Sequence, residues 1–212
     1  MTEEDKSKPT VVPPDPYSER IRMYFDEHLG KPWQNHLRFV LNTFPQIEKG
    51  QIQYLIYGGA AIHLLNQQRI KPKDIDVLTR NSAMAAEFPP HPEGPPIDVH
   101  SIDRWLQDHQ LPYDQKLVDF LFEQFQPVSF EGREVLVMSP VAQVWSKQNV
   151  LWGNLKRPKD LEDIQLLNVN PEKVRIFAEQ IKQSSNPGKF TKIRSDKIPI
   201  QNDPCAAKDE PQ

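Results

Sequence analysis

Gly58 and Gly59 lie between a β-type run and a helix-type run, and Asp74-Ile75-Asp76 follows after fourteen intervening residues. Paired glycines let the backbone approach a phosphate closely, and the N-terminus of the following helix favours negative charge there. Aspartates two apart in a strand project from one face, while Ile75 and Val77 point to the other. Two carboxylates on one face beside a phosphate cradle have the makings of a magnesium–triphosphate site. Asp98, in the run IDVHSI, supplies a third carboxylate if its strand pairs beside the first, and His100 then shares its face.

A second group lies near the other end of the chain. Lys147 falls three residues after Val144 and four before Leu151, at the border of an apolar helical stripe. From there a lysine either snorkels to solvent or reaches into a cleft for phosphate. Asp160 and Asp163 follow, one helical turn apart, beside Leu161, Ile164 and Leu167. A helix dipole alone accounts for acids in a first turn, and that explanation is strongest for Asp160.

The elements that must position these residues can be read in outline. Tyr17–Leu29 and Trp33–Phe44 have helical spacing, with Gly30 and Pro32 between them. Gln53–Tyr57 reads as a strand, Ala60–Gln68 as a helix, Ile75–Thr79 and Ile97–Ile102 as strands, and Trp105–Gln110 as a short helix. Gln126–Phe130 and Glu134–Met138, joined by Glu131-Gly132-Arg133, form a hairpin pattern. Ser139-Pro140 is a helix start, Ser at the cap and Pro at the first position, for a helix to about Trp152. Lys159–Leu167 and Pro171–Gln183 complete the series. Helices, then mixed elements, then helices predict an α+β fold: a mixed sheet flanked by helices, with a C-terminal helical part.

The chain has 212 residues, 21 of them proline, about twice the usual share. Thirteen prolines crowd into residues 1–16, 89–96 and 184–212. The expected organisation is a disordered N-terminus over 1–16, an α/β core over 17–138, a helical part over 139–183 that completes the cleft, and a disordered tail over 184–212. The tail carries Lys189, Lys192, Arg194 and Lys197. No apolar run approaches the ~18–20 residues that cross a bilayer. The acidic, polar start is no secretory signal, so a cytoplasmic location is expected. The single cysteine, Cys205, excludes an internal disulfide and a cysteine-based zinc site, and a net charge of −3 offers no global attraction to nucleic acid.

The segment YGGAAIHLLNQQRIKPKDIDVL resembles the first motif of the nucleotidyltransferase superfamily of the polymerase-β type, in the form found in AbiEii-like and minimal nucleotidyltransferases of toxin–antitoxin systems. SPVAQVWSKQNVLWGNLKRPKDLEDI is similar to that family's C-terminal lysine motif followed by its Asp-x-x-Asp motif. The resemblance spans about residues 53–167. It implies that Gly58, Gly59 and Arg69 attend the nucleotide and that Asp74, Asp76 and Asp98 hold Mg2+ or Mn2+. It also implies that Lys147 binds the triphosphate while Asp160 or Asp163 completes the cleft. The implied activity transfers a nucleoside monophosphate from an NTP to a hydroxyl of tRNA, a protein or a small molecule, with a cognate toxin or antitoxin as partner. The Lys…Ser/Thr-x-Arg motif usual between the two segments in the toxin families is absent. The alternative expectation is therefore a catalytically silent binding module on the same fold, an antitoxin or RNA-binding scaffold.

Overall fold

The computed structural model describes residues 21, 23, 24, 31–69, 71–88, 96–149 and 158–185. The proline-rich start, most of the first expected helix, the 89–95 loop, residues 150–157 and the tail beyond 185 lie outside the described residues. Fifteen elements are described: α1 Trp33–Thr43, β1 Ile47–Glu48, β2 Gln51–Ile52, β3 Tyr54–Tyr57, α2 Gly58–Leu65, β4 Ile75–Thr79, α3 Ser82–Glu87 and β5 Ile97–Ser101, followed by α4 Ile102–Asp108, α5 Gln115–Glu123, β6 Phe125–Phe130, β7 Arg133–Met138, α6 Pro140–Asn149, α7 Pro158–Leu167 and α8 Pro171–Ser184.

Alternation along the strands dictates the layering. Ile56, Ile75, Val77, Ile97, Val99, Val135 and Val137 face one side, where they pack with Trp33, Leu37 and Val40 of α1 and with Ala60 and Ala61 of α2. Leu55, Leu78, Leu136 and Met138 face the other side, against Ile102, Trp105 and Leu106 of α4 and residues of α5, α6 and α8. A sheet apolar on both faces needs helices on both, and it has them. The five strands lie in the order β5-β4-β3-β7-β6. β3 pairs antiparallel with β4 and parallel with β7, β4 pairs parallel with β5, and β6 with β7 antiparallel. The fold is therefore α+β with a mixed sheet, as expected.

Local chemistry sets the boundaries. Glu131 and Gly132 both have positive φ (52° and 75°), as a two-residue hairpin loop between β6 and β7 requires. Pro127 is tolerated because β6 is an edge strand. Ser139 Oγ accepts from Ala142 N at 3.3 Å and opens α6 as the Ser-Pro pair indicates.

Four elements are not in the sequence reading: the strands β1 and β2, which pair with each other, and the helices α3 and α5. β1, β2 and α3 are short, and α3 is held by Asn81, whose side chain caps Ala83 and Met84. A further correction concerns the glycine pair. The helix expected over Ala60–Gln68 runs instead over Gly58–Leu65, so Gly58 and Gly59 are its first two residues.

Candidate active site

Both glycines border the cleft, and each also makes room for a side chain from elsewhere in the fold. Gly58 has φ +63°, and a β-carbon there would fall against Asp76 Oδ2 and 2.8 Å from its Cγ. A β-carbon on Gly59 would lie 3.1 Å from Nη2 of Arg69. Each glycine thus leaves room for a charged side chain from elsewhere in the fold. Gly59 N–H also donates to Asp76 Oδ2 at 3.3 Å, so the start of α2 meets an anion, supplied by the protein itself.

Asp76 stands in a row across three strands. Its register partners are Tyr57 on β3 and Asp98 on β5, and Leu78 on β4 pairs with His100 on β5. In-register partners share a face, so Tyr57, Asp76, Asp98 and His100 all look to the α4–α6 side of the sheet. Asp74 lies one residue before β4, exposed, so strand alternation does not place it. Its charge still reaches Asp76. Burial, then the charges of Asp74 and Asp98, push the Asp76 carboxyl up to about 6 from its ordinary 3.8. The same two effects hold the Tyr57 phenol well above its usual range, with burial first and the charges of Asp76, Asp98 and Asp108 behind it. His100, buried, bonds Asp98 Oδ2 through Nε2 at 2.9 Å and meets the Tyr57 ring edge-on at 5.8 Å. One carboxylate oxygen of Asp98 is fixed in this way, on a side chain otherwise partly open to solvent.

The second group forms an ion cluster joining three parts of the chain. Arg69 donates from Nε to Asp163 Oδ1 at 2.6 Å and from Nη2 to Asp163 Oδ2 at 3.3 Å. Lys147 Nζ lies 2.8 Å from Asp160 Oδ1 and 3.0 Å from Asp163 Oδ2. Asp160 stands in the first turn of α7, and both it and Asp163 are buried, so solvent does not account for their charge. They neutralise two cations inside the protein. The structure places both at Lys147, where the resemblance required only one.

The remaining wall comes from α4 and α6. His109 is stacked on Trp105, ring centroids 3.8 Å apart, with Trp145 at 5.6 Å on a near-parallel plane. Its Nδ1 is 2.7 Å from the Trp105 carbonyl and its Nε2 is 2.8 Å from Ser146 Oγ. A carbonyl only accepts, so Nδ1 carries the proton and the Ser146 hydroxyl donates to Nε2. Burial lowers this histidine to about 4 and keeps it neutral. Tyr57, Gln143 and Ser146 lie within the two quoted segments without an assigned role there, and Trp105 and His109 lie outside them. The one available signal is helical spacing, which puts Gln143 one turn before Lys147 on the same face of α6.

Apart from Trp145, which lies behind His109, these groups border one cleft of about 1170 Å³, which Gly58, Gly59, Arg69, Asp74, Asp76, Asp98, Lys147, Asp160 and Asp163 reach together. The sequence-derived residues are thus brought to a single site. Among the described residues no three His, Cys, Asp or Glu side chains are gathered into a closed ligand set. The donor chemistry nonetheless fits a hard divalent cation: three carboxylates border one cleft, and the half-buried one, Asp76, is raised first by burial and then by the charges of the other two.

No protein-family model matches the chain, and no curated protein matches it. Among solved structures, it is similar to an antigenic nucleotidyltransferase-like protein from Paracoccidioides brasiliensis, with 17% identity and a TM-score of 0.35 over 81% of this chain and 89% of that one. It is also similar to ANT(2")-Ia, solved in complex with adenylyl-2"-tobramycin, with 17% identity and a TM-score of 0.36 over 62% of this chain and 87% of that one. Likeness at this level does not bear on function.

Proposed function

We propose that the protein is a metal-dependent nucleotidyltransferase that moves a nucleoside monophosphate from an NTP to an acceptor hydroxyl and releases pyrophosphate. The observation that carries this reading is the row Tyr57–Asp76–Asp98, which turns a half-buried, mutually repelling carboxylate pair into a cleft lined by basic residues. Asp76 and Asp98, with Asp74 beside them, would hold Mg2+ or Mn2+. When bound, the cation supplies charge neutralisation at the α-phosphorus and the leaving group.

The chain's own groups account for the rest. Asp98, with one oxygen held by His100, keeps the other free to take the proton of the acceptor hydroxyl. Gly58 lets Asp76 lie against the backbone, which fixes that carboxylate without a second side chain. Lys147 and Arg69, oriented by Asp160 and Asp163, would offer N–H donors to the triphosphate, and Lys71, Lys73 and Lys159 also line the cleft. We place the acceptor among RNA (tRNA in particular), protein hydroxyls and small polyhydroxylated molecules, and a toxin–antitoxin role with a cognate partner belongs to the same proposal.

A second reading is supported by one observation: both Asp160 and Asp163 already engage Lys147, and Asp163 also engages Arg69. A cluster so satisfied suits a silent binding module that uses the fold as scaffold. Incubation with each labelled NTP, Mg2+ or Mn2+, and total RNA, protein or a panel of small polyols decides between them. Metal-dependent label transfer supports the enzyme. Absence of transfer, with no metal-dependent NTP binding by calorimetry, supports the scaffold.

A further inference from the structure

α7 and α8 follow one another in the chain but are fastened to the body by opposite means. α8 is docked through Val174, Phe177 and Ile181, all buried and apolar. The buried residues of α7 are two carboxylates, Asp160 and Asp163. Of its apolar side chains, Leu161 is 45% exposed, and Ile164 and Leu167 are only partly buried, against the cluster around Trp105 and Leu106. A neutral hydrogen bond adds to these, from Asn66 Nδ2 to the Leu166 carbonyl at 2.9 Å. Burying charges in pairs adds little net stability, because desolvation offsets their attraction, so the acids hold α7 less firmly than an apolar face would. α7 is also a wall of the cleft, which Lys159, Glu162 and Gln165 line beside the two acids.

We propose that α7 is a displaceable wall: Asp160 and Asp163 compete with a triphosphate for Lys147 and Arg69, and the triphosphate, on taking these cations, releases the helix. The inference rests on the nucleotidyltransferase reading and names a regulation of that same site. Lys147 Nζ has three N–H donors and faces two carboxylate oxygens, at 2.8 and 3.0 Å. Asp163 spans both cations, with its oxygens on Arg69 Nε, Arg69 Nη2 and Lys147 Nζ. A phosphate oxygen bonded to the same Nζ would stand roughly 5 Å from those acids, where like charges in a half-dry site repel. The anion of larger charge keeps the cations, and a helix whose buried residues are those same acids loses its hold. Docking of α7 and binding of triphosphate thus oppose each other, and each weakens the other by the same factor.

The test takes the full chain with inorganic triphosphate and no metal, and reads calorimetry together with hydrogen exchange by mass spectrometry. Saturating triphosphate is expected to speed exchange of the α7 amides by about fivefold or more, with α8 unchanged as the internal reference. Asp160→Asn removes one competitor and leaves Asp163 on Lys147, so it is expected to bind triphosphate about fivefold more tightly or better. If that variant does not fold, exchange in the wild type decides alone. Slower or unchanged exchange in α7, or unchanged or weaker binding by Asp160→Asn, shows acids that merely position the cations. Either result overturns the inference and leaves the transferase reading in place. Faster exchange in α7 and α8 alike reports a general loosening and overturns it too. So does failure of the wild type to bind triphosphate; if NTP with Mg2+ also fails to bind, the transferase reading falls with it.

Discussion

The carboxylate of Asp76 occupies the space where a side chain on Gly58 would begin. The positive φ of Gly58 and the closeness of Asp76 act together, so Gly58→Ala meets both a left-handed backbone and a steric clash. We expect it to lose more than about 2 kcal/mol of stability and nearly all transfer activity. Gly59→Ala has no positive φ to contend with and meets only the Arg69 guanidinium, held by Asp163, at 3.1 Å, so it is expected to cost less than Gly58→Ala. Chemical denaturation of the two variants checks the contrast. Equal losses would show that the glycines matter only as helix residues.

Replacing Asp76 by Asn keeps the shape and removes a charge that burial and two neighbours disfavour. At neutral pH the variant is expected to gain thermal stability, by up to roughly 3 kcal/mol from a shift of about two units. Transfer should fall about a hundredfold or more, because the cation loses its buried ligand. A variant that is both less stable and fully active contradicts the metal-site reading.

Lys147→Met leaves Asp160 and Asp163 buried with less compensation and is expected to cost roughly 3 kcal/mol. Adding Asp160→Asn to that variant should recover much of the loss, because the uncompensated charge goes with it. NTP affinity should remain low in the double variant, since the lysine is still missing. Recovery of both stability and NTP binding would assign Lys147 to the framework alone.

Asp76 and His109 titrate in opposite senses over the same range. The Asp76 carboxyl, raised to about 6, is a burden on the fold that sets in as pH rises from about 4 to 6. His109, lowered to about 4, contributes stability that is complete above 6.5 and is lost as pH falls toward 4. Each effect is roughly 3 kcal/mol, so their contributions nearly cancel in the wild type. Asp76→Asn should therefore reveal a loss of stability on acidification, and His109→Phe a gain. Thermal midpoints from pH 4 to 7 test this; parallel curves for all three proteins would refute the compensation.

Much of the sheet was legible because its strands carry their own signals. IDVLT alternates, IDVHS repeats the pattern, and the Glu131-Gly132 turn marks the hairpin. α5 has an equally readable stripe in Leu117, Val118, Leu121 and Phe122 under an Asp114 cap, yet it lies between Pro112 and the hairpin, where the chain reads as a connection. The site divides along similar lines. Gly-Gly and Asp-x-Asp are local patterns and pointed to the cleft. That the glycines make way for Asp76 and Arg69, and that Arg69 meets Asp163 ninety-four residues away, depends on tertiary approach that no local pattern encodes.

The order of strands also bears on how the molecule comes apart. β3 pairs on one side with its near neighbour in the chain, β4, and on the other with β7, some eighty residues later. Arg69 reaches across a similar span to Asp163 of α7. Contacts of such sequence separation form late in folding, because a long loop must close before they contribute. The cleft is then among the last parts of the protein to assemble and among the first to open. A ligand that bridges its two walls would accordingly lengthen the lifetime of the folded state and scarcely change the rate at which the chain folds.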